Sequence, residues 1–235
     1  MAYGAAMELT DALRTTGAVR DFTPEPVGDD VLGRVLDTAR FAPSGGNRQG
    51  WRVVVVDDGD TRRALRDLYL DGWYEYLAMT AAGLTPWAPV TDRDAEARAL
   101  AGAPALAEQA AGGPGGFAEH LDEVPVLLVV LADLRALAAV DRDLGRYGLA
   151  GGASIYPFTW NLLLAARGEG LGGVVTTMPI RREPAVKALL GAPDELAVAA
   201  VVALGHPRRQ PRRLSRAPVA EWATVDRVDG APFAG

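Results

Sequence analysis

The chain contains no cysteine, a single lysine (Lys187) and only two histidines, His120 and His206. Without cysteine there can be no disulfide, no thiolate nucleophile and no Cys-based metal centre, a usage that fits a reducing compartment. Two histidines so distant in sequence do not make a conventional His-rich metal site, so no metal is expected. The chain does not open on a basic stretch followed by an apolar run, and no segment reaches about 18 uninterrupted apolar residues. The expectation is therefore a cytoplasmic protein that neither crosses a membrane nor carries a leader. A net charge of −6 lacks the basic field of a nucleic-acid reader. Several catalytic motifs are missing as well. No G-x-S-x-G elbow surrounds Ser44, Ser154 or Ser215, and no glycine loop ends in a lysine. The glycine-rich stretch at 168–173 leaves a helix and enters a strand, the reverse of a dinucleotide fingerprint.

What remains is enough apolar material, 49 % of 235 residues, to bury a sizeable core in one domain spanning 1–235. Leu9 and Leu13 mark a short helix over 8–16. Asp29 or Asp30 is placed to cap a second helix, striped by Val31, Leu32, Val35, Leu36 and Ala39 and closed by Pro43. Trp51–Val56 reads as a buried strand, 60–82 as a helix capped by Asp60 or Thr61, and Val124–Leu131 as a second strand. Residues 150–169 read as one long helix, apolar around most of its circumference, suited to a core centre or a subunit interface. Leu171–Thr177 and Leu196–Leu204 are strands, with a helix over 181–190 between them. Prolines and glycines scattered through 84–120 predict a mobile helical insertion, and the tail from His206 reads as an extended arm.

Three segments carry the types of side chain that chemistry needs. Arg20, in Val19-Arg20-Asp21-Phe22, offers a guanidinium that pairs bidentately with phosphate, although an exposed arginine anchoring a turn is the commoner case. The turn from Pro43 to Trp51 packs Ser44, Gly45, Gly46, Asn47 and Gln49 between a helix and a strand. Its glycines permit close backbone approach, and its carboxamides can read a heterocycle edge. Thr176 and Thr177 end a strand beside Pro179, where hydroxyls and amides turn outward; ordinary strand capping would use the same residues.

In order along the chain these segments resemble the nitroreductase family of FMN enzymes. The shared features are Val19-Arg20-Asp21-Phe22, the 43–51 turn, Asn161-Leu162-Leu163-Leu164-Ala165-Ala166, Gly170-Leu171-Gly172, Leu204-Gly205-His206-Pro207 and Arg216-Ala217-Pro218-Val219. Thr176-Thr177 is closer to the iodotyrosine-deiodinase-like branch than to classical nitroreductases. The resemblance implies an α+β fold, a mixed and largely antiparallel sheet flanked by helices, and an intertwined homodimer with FMN at its interface. It also implies NADH or NADPH as electron donor and a small, aromatic acceptor. By position, Arg20 and Arg216 would contact the FMN phosphate or ribityl chain. Pro43, Ser44, Gly45 and Asn47 would line the ring from one side, with Thr176 and Thr177 meeting its edge from the other. Thr177 is the candidate donor to flavin N5. Residues 60–120 would form a substrate lid carrying Tyr69, Trp73, Tyr74, Tyr76, Trp87 and Phe117, and 206–235 a C-terminal arm. A reductive dehalogenase, a natural-product dehydrogenase, an enzyme using the deazaflavin F420 as donor, and a non-catalytic FMN carrier or sensor all fit the same resemblance. The chain departs from the family at Thr16, Gly17 and Ala18, where basic residues and a serine are usual, and Gly50 replaces a proline.

Overall fold

The computed structural model describes residues 7–233. Its frame is a four-stranded antiparallel sheet in the order β1-β2-β4-β3. The strands are β1 (Trp51–Val55), β2 (Val126–Asp133), β3 (Gly172–Thr176) and β4 (Leu196–Gly205). A parallel bridge between Ala18 and Gly173 adds the N-terminal segment to the β3 edge, so the arrangement is mixed but largely antiparallel.

β2 is buried along its whole length because both faces of the sheet are covered. Leu128 and Val130 face one side, against Val35 and Leu32 of α2 (Asp29–Ala39) and Phe158 and Leu162 of α6 (Tyr156–Gly168). Leu127, Val129 and Leu131 face the other, against Leu65 and Tyr69 of α3 (Gly59–Ala81) and Val186 of α7 (Glu183–Leu190). This is the period of two expected of a strand. β4 breaks it once: Val130 pairs with Ala200 but Leu131 with Val198. Ala199 is the extra residue of a β-bulge, so Ala199 and Ala200 both join the first core.

The expected elements are present, with differences that have local causes. α2 starts at Asp29 with Gly28 as its N-cap, so neither Asp29 nor Asp30 caps it; both lie in the first turn, where their charge meets the positive end of the helix dipole. Asp58, rather than Asp60 or Thr61, caps α3 by accepting from the Thr61 amide at 2.8 Å. β1 is an edge strand and only half-buried. The long helix over 150–169 is divided: a 3-10 turn, Ala150–Ser154, precedes α6, whose first turn contains Pro157. Inside 84–120 two short helices form, α4 (Arg93–Leu100) and α5 (Ala103–Ala111), before the irregular glycine stretch. α1 (Leu9–Thr15) buries no residue, and Leu9 and Leu13 stand exposed.

Candidate functional site

The end of β3 faces an aromatic wall built by α3. Tyr69, Trp73 and Tyr76 recur at helical spacing on one face of α3. Trp73 and Tyr76 stack at 5.5 Å and 7°. Tyr69 meets Phe117 edge-on at 6.4 Å. These four rings, with Arg20, Thr176 and Thr177, line a cavity of about 360 Å³. The approach of α3 to this strand end depends on Gly72. A Cβ there would lie 2.7 Å from the Met178 carbonyl, in the 3-10 turn Met178–Arg182 that follows Thr177.

Polarity in the cavity is concentrated at a few points. Tyr69 is 3 % exposed, and burial pushes its phenol pKa up, against the opposing pull of the Thr176 hydroxyl and the Arg20 charge. Thr177 is exposed and Thr176 half-buried. Arg20 has no ion-pair partner among the described residues, whereas the adjacent Asp21 pairs with Arg208 at 3.1 Å. An unpaired guanidinium at the mouth of an apolar cavity is suited to an anionic ligand group.

Of the other expected wall residues, Tyr74 turns away and donates to Glu119 at 3.1 Å. Trp87 packs behind the wall, 6.3 Å from Tyr76, with the Arg181 guanidinium 5.2 Å from its ring. Neither Tyr74 nor Trp87 lines the cavity. Sequence reading missed Met178 and Glu119, both of which do. No motif marks them, because they arrive through the turn after β3 and the segment before β2.

The second polar segment lies elsewhere. The 43–50 turn leads into β1, at the opposite edge of the sheet from β3. With neighbouring strands about 4.8 Å apart, those edges stand roughly 14 Å apart, and no residue of the turn lines the β3 cavity. The turn is strained: Gly46, Asn47 and Gln49 all adopt left-handed φ, of 60°, 54° and 51°. Non-glycine residues are rare there and persist only where surrounding contacts fix them. Here the contacts are Gln49 N–H donating to Ser44 Oγ at 3.0 Å and Gly45 N–H donating to Ser154 Oγ at 3.0 Å. Ser44 Oγ thus accepts from the turn and keeps its own proton to donate. Pro43, Gly45 and Asn47 are exposed, while Trp51 is committed to the core, stacked on Phe158 at 4.8 Å. Arg216 is exposed and donates to the carbonyl of Ser215 at 2.7 Å; it lines neither region.

Asp141 organises the approach to Ser154. Amides of Leu149 and Ala150 and the Arg146 guanidinium all donate to it. Those contacts, the Leu149 amide foremost, lower its pKa to about 2.

A family model described as the nitroreductase family matches residues 13–206. The chain belongs to the nitroreductase family. Among curated relatives, an NADH dehydrogenase of Thermus thermophilus is 30 % identical, covering 82 % of this chain and 83 % of its own. A 5,6-dimethylbenzimidazole synthase of Rhodospirillum rubrum is 31 % identical, with 82 % and 78 % covered. Among solved structures, oxidised iodotyrosine deiodinase bound to FMN and 3-iodo-L-tyrosine superposes with a TM-score of 0.61 at 25 % identity, covering 90 % of this nitroreductase-family chain and 96 % of the deiodinase. The α+β fold implied by the six shared features is therefore the fold observed. The likeness to the deiodinase also agrees with the Thr176-Thr177 signature.

Proposed function

We propose that this protein carries hydride from NADH or NADPH through FMN to a small aromatic acceptor, at sites shared between two copies of the chain. Family membership and the relatives make it an FMN-dependent oxidoreductase. The nature of the acceptor and the residue roles are our reading. The observation that carries it is the cavity where Arg20, Thr176 and Thr177 meet the ring wall of Tyr69, Trp73 and Phe117.

The residues present fit a flavin mononucleotide. Hydroxyls at Thr176 and Thr177 suit the polar edge of a ring, and the unpaired Arg20 suits its anionic end. The Thr16 hydroxyl is buried without a hydrogen-bond partner, in the segment that bridges to β3 at Ala18. Bound FMN would supply the hydride chemistry itself, which is why the chain needs no acid–base constellation of its own.

Each protein group then has a defined task. Thr177, exposed at the strand end, is positioned to donate to flavin N5 and so to favour one redox state. Thr176 and Tyr69 fix the polar edge from the buried side. Trp73, Tyr76 and Phe117 give a planar acceptor surfaces to stack on and exclude water, so the segment at 60–120 serves as the substrate lid. Tyr74 and Trp87 support that lid from behind. Pro43, Ser44, Gly45 and Asn47 complete the ring pocket from the partner copy, since in one chain they stand at the far edge of the sheet. Arg216 also reaches the phosphate in the assembled pair.

Anaerobic reduction by NADH or NADPH, followed by rapid reoxidation with nitroarenes and halophenols in separate runs, tests this reading. Parallel-line kinetics and a raised KM for the acceptor in Trp73→Ala support it. Bound flavin that neither nicotinamide reduces would instead mark a flavin carrier or sensor and contradict it.

A further inference from the structure

Among the described residues, every carboxylate of α3 and of residues 117–123 has an arginine or histidine partner except Glu119. On α3, Asp60 pairs with Arg63, Asp67 with Arg66, Asp71 with Arg182 and Glu75 with Arg181. Ahead of β2, Asp122 pairs with Arg66 and Glu123 with His120. Glu119 is held in place without being neutralised. Its Oε1 accepts from the Tyr74 hydroxyl at 3.1 Å and its Oε2 from the Gly116 amide at 2.7 Å. A carboxylate offers about four lone-pair positions, so these two contacts fix its direction and leave acceptor capacity open. The residue is half-buried and lines the aromatic cavity.

The rings beside it form a continuous surface. Phe117 meets Tyr69 edge-on, Tyr69 leans on Trp73 at 6.4 Å and 33°, and Trp73 stacks on Tyr76. Ring faces carry the negative side of the aromatic quadrupole and attract cations, most strongly where water is excluded. Arg20 is the other charged residue lining this cavity. Both charges act on Tyr69: burial foremost raises its phenol pKa, the Arg20 charge opposes that rise, and Glu119 adds to it.

With Arg20 committed to the anionic end of the flavin, the charge left facing an acceptor is negative. We infer that the cavity selects aromatic acceptors whose side arm carries a protonated or quaternary amine, with Glu119 as the specificity-determining residue. The amine meets the Glu119 carboxylate while the ring lies on Trp73 and Tyr76. A neutral acceptor forgoes that ion pair, and an acidic one is repelled by Glu119. The inference deepens the flavin reading above and rests on it.

Turnover of para-nitrobenzyl trimethylammonium, of its neutral carbon isostere para-neopentylnitrobenzene and of para-nitrobenzoate, in wild type and in Glu119→Gln, tests it. Glutamine keeps the size and one acceptor oxygen and removes the charge. The kcat/KM ratio of cation to neutral isostere is expected to fall about tenfold in the variant, through KM, the worth of one charge-assisted contact. Comparing variant with wild type cancels the intrinsic reactivity of each compound, and the ratio for para-nitrobenzoate should move the opposite way. Calorimetric titration of the purified protein with benzyltrimethylammonium and with benzoate reads binding apart from turnover. The wild-type protein should prefer the cation, and added salt should weaken that preference. Should Glu119→Gln fail to fold, this wild-type titration decides alone. A cation-to-neutral ratio unchanged by Glu119→Gln, or tighter binding of benzoate than of benzyltrimethylammonium, overturns the inference and leaves the flavin reading intact. Bound flavin that neither NADH nor NADPH reduces overturns the flavin reading and the inference with it.

Discussion

Gly72 and Thr177 show how single residues set this site. Gly72 has no side chain because the Met178 carbonyl occupies the space a Cβ would need. In Gly72→Ala that carbonyl must move, and the expected cost is about 1–3 kcal/mol, the range of overpacking in a closely packed region. Denaturant unfolding measures that loss, and slower flavin reduction would accompany it because the displaced turn begins directly after Thr177. Thr177→Ala should leave stability nearly unchanged, since the residue is exposed. It should alter flavin reduction or reoxidation by about two- to tenfold, the kinetic equivalent of one neutral hydrogen bond. Rates equal to wild type in rapid mixing would remove Thr177 from its proposed role. Both threonines were legible in the sequence as a strand end before a proline. Gly72 was not: a glycine inside a helix gives no sign of the carbonyl that makes it necessary.

At the scale of elements, two short segments hold the polar residues in place. The 141–150 loop folds around Asp141, and through the following 3-10 turn it presents Ser154 to the 43–50 turn. Asp141→Asn would remove the charge that three donors address, so faster amide exchange in 141–154 and in 44–49 is the expected result. The same contacts set a pH dependence. The Asp141 pKa lies at about 2, below the ordinary 3.8. Its stabilising effect is therefore fully present above about pH 4 and lost as the pH falls through about 2. Acid unfolding of the wild-type protein should show this loss, and Asp141→Asn should not. His120 behaves in the opposite sense. Its carbonyl contact with Pro114 and its pairing with Glu123 raise its pKa above 6.5, so that contribution is complete below 6.5 and fades as the pH rises through the raised value. Element type was readable from period and composition, as in the apolar runs of β2 and β4. Boundaries were less so. Asp58 caps α3 ahead of two equally plausible residues, and the Ala199 bulge has no signature in a run of alanines and valines.

At the scale of the whole molecule, a single copy leaves the candidate site residues divided between two sheet edges. It also leaves apolar side chains uncovered. Leu9 and Leu13 of α1 stand exposed, as do Tyr156 and Trp160 on the outer face of α6. In the proposed pair, a second copy seated on this surface would bury them and bring its 43–50 turn to the β3 cavity. Trp160→Glu combined with Leu13→Glu is expected to give a monomer in sedimentation that no longer retains flavin. A flavin-loaded monomer would show that one chain suffices. The sequence made the family recognisable through motifs in fixed order. It could not show that those motifs fall on opposite edges of one sheet, because strand order is set by long-range pairing rather than by local pattern.

The visible absorbance of the purified protein on a sizing column tests whether paired copies of this chain hold a flavin. The expected result is a dimer-sized peak with flavin absorbance, from which denaturation releases FMN in a ratio near one per chain. A colourless protein that takes up no FMN when the cofactor is supplied would contradict it.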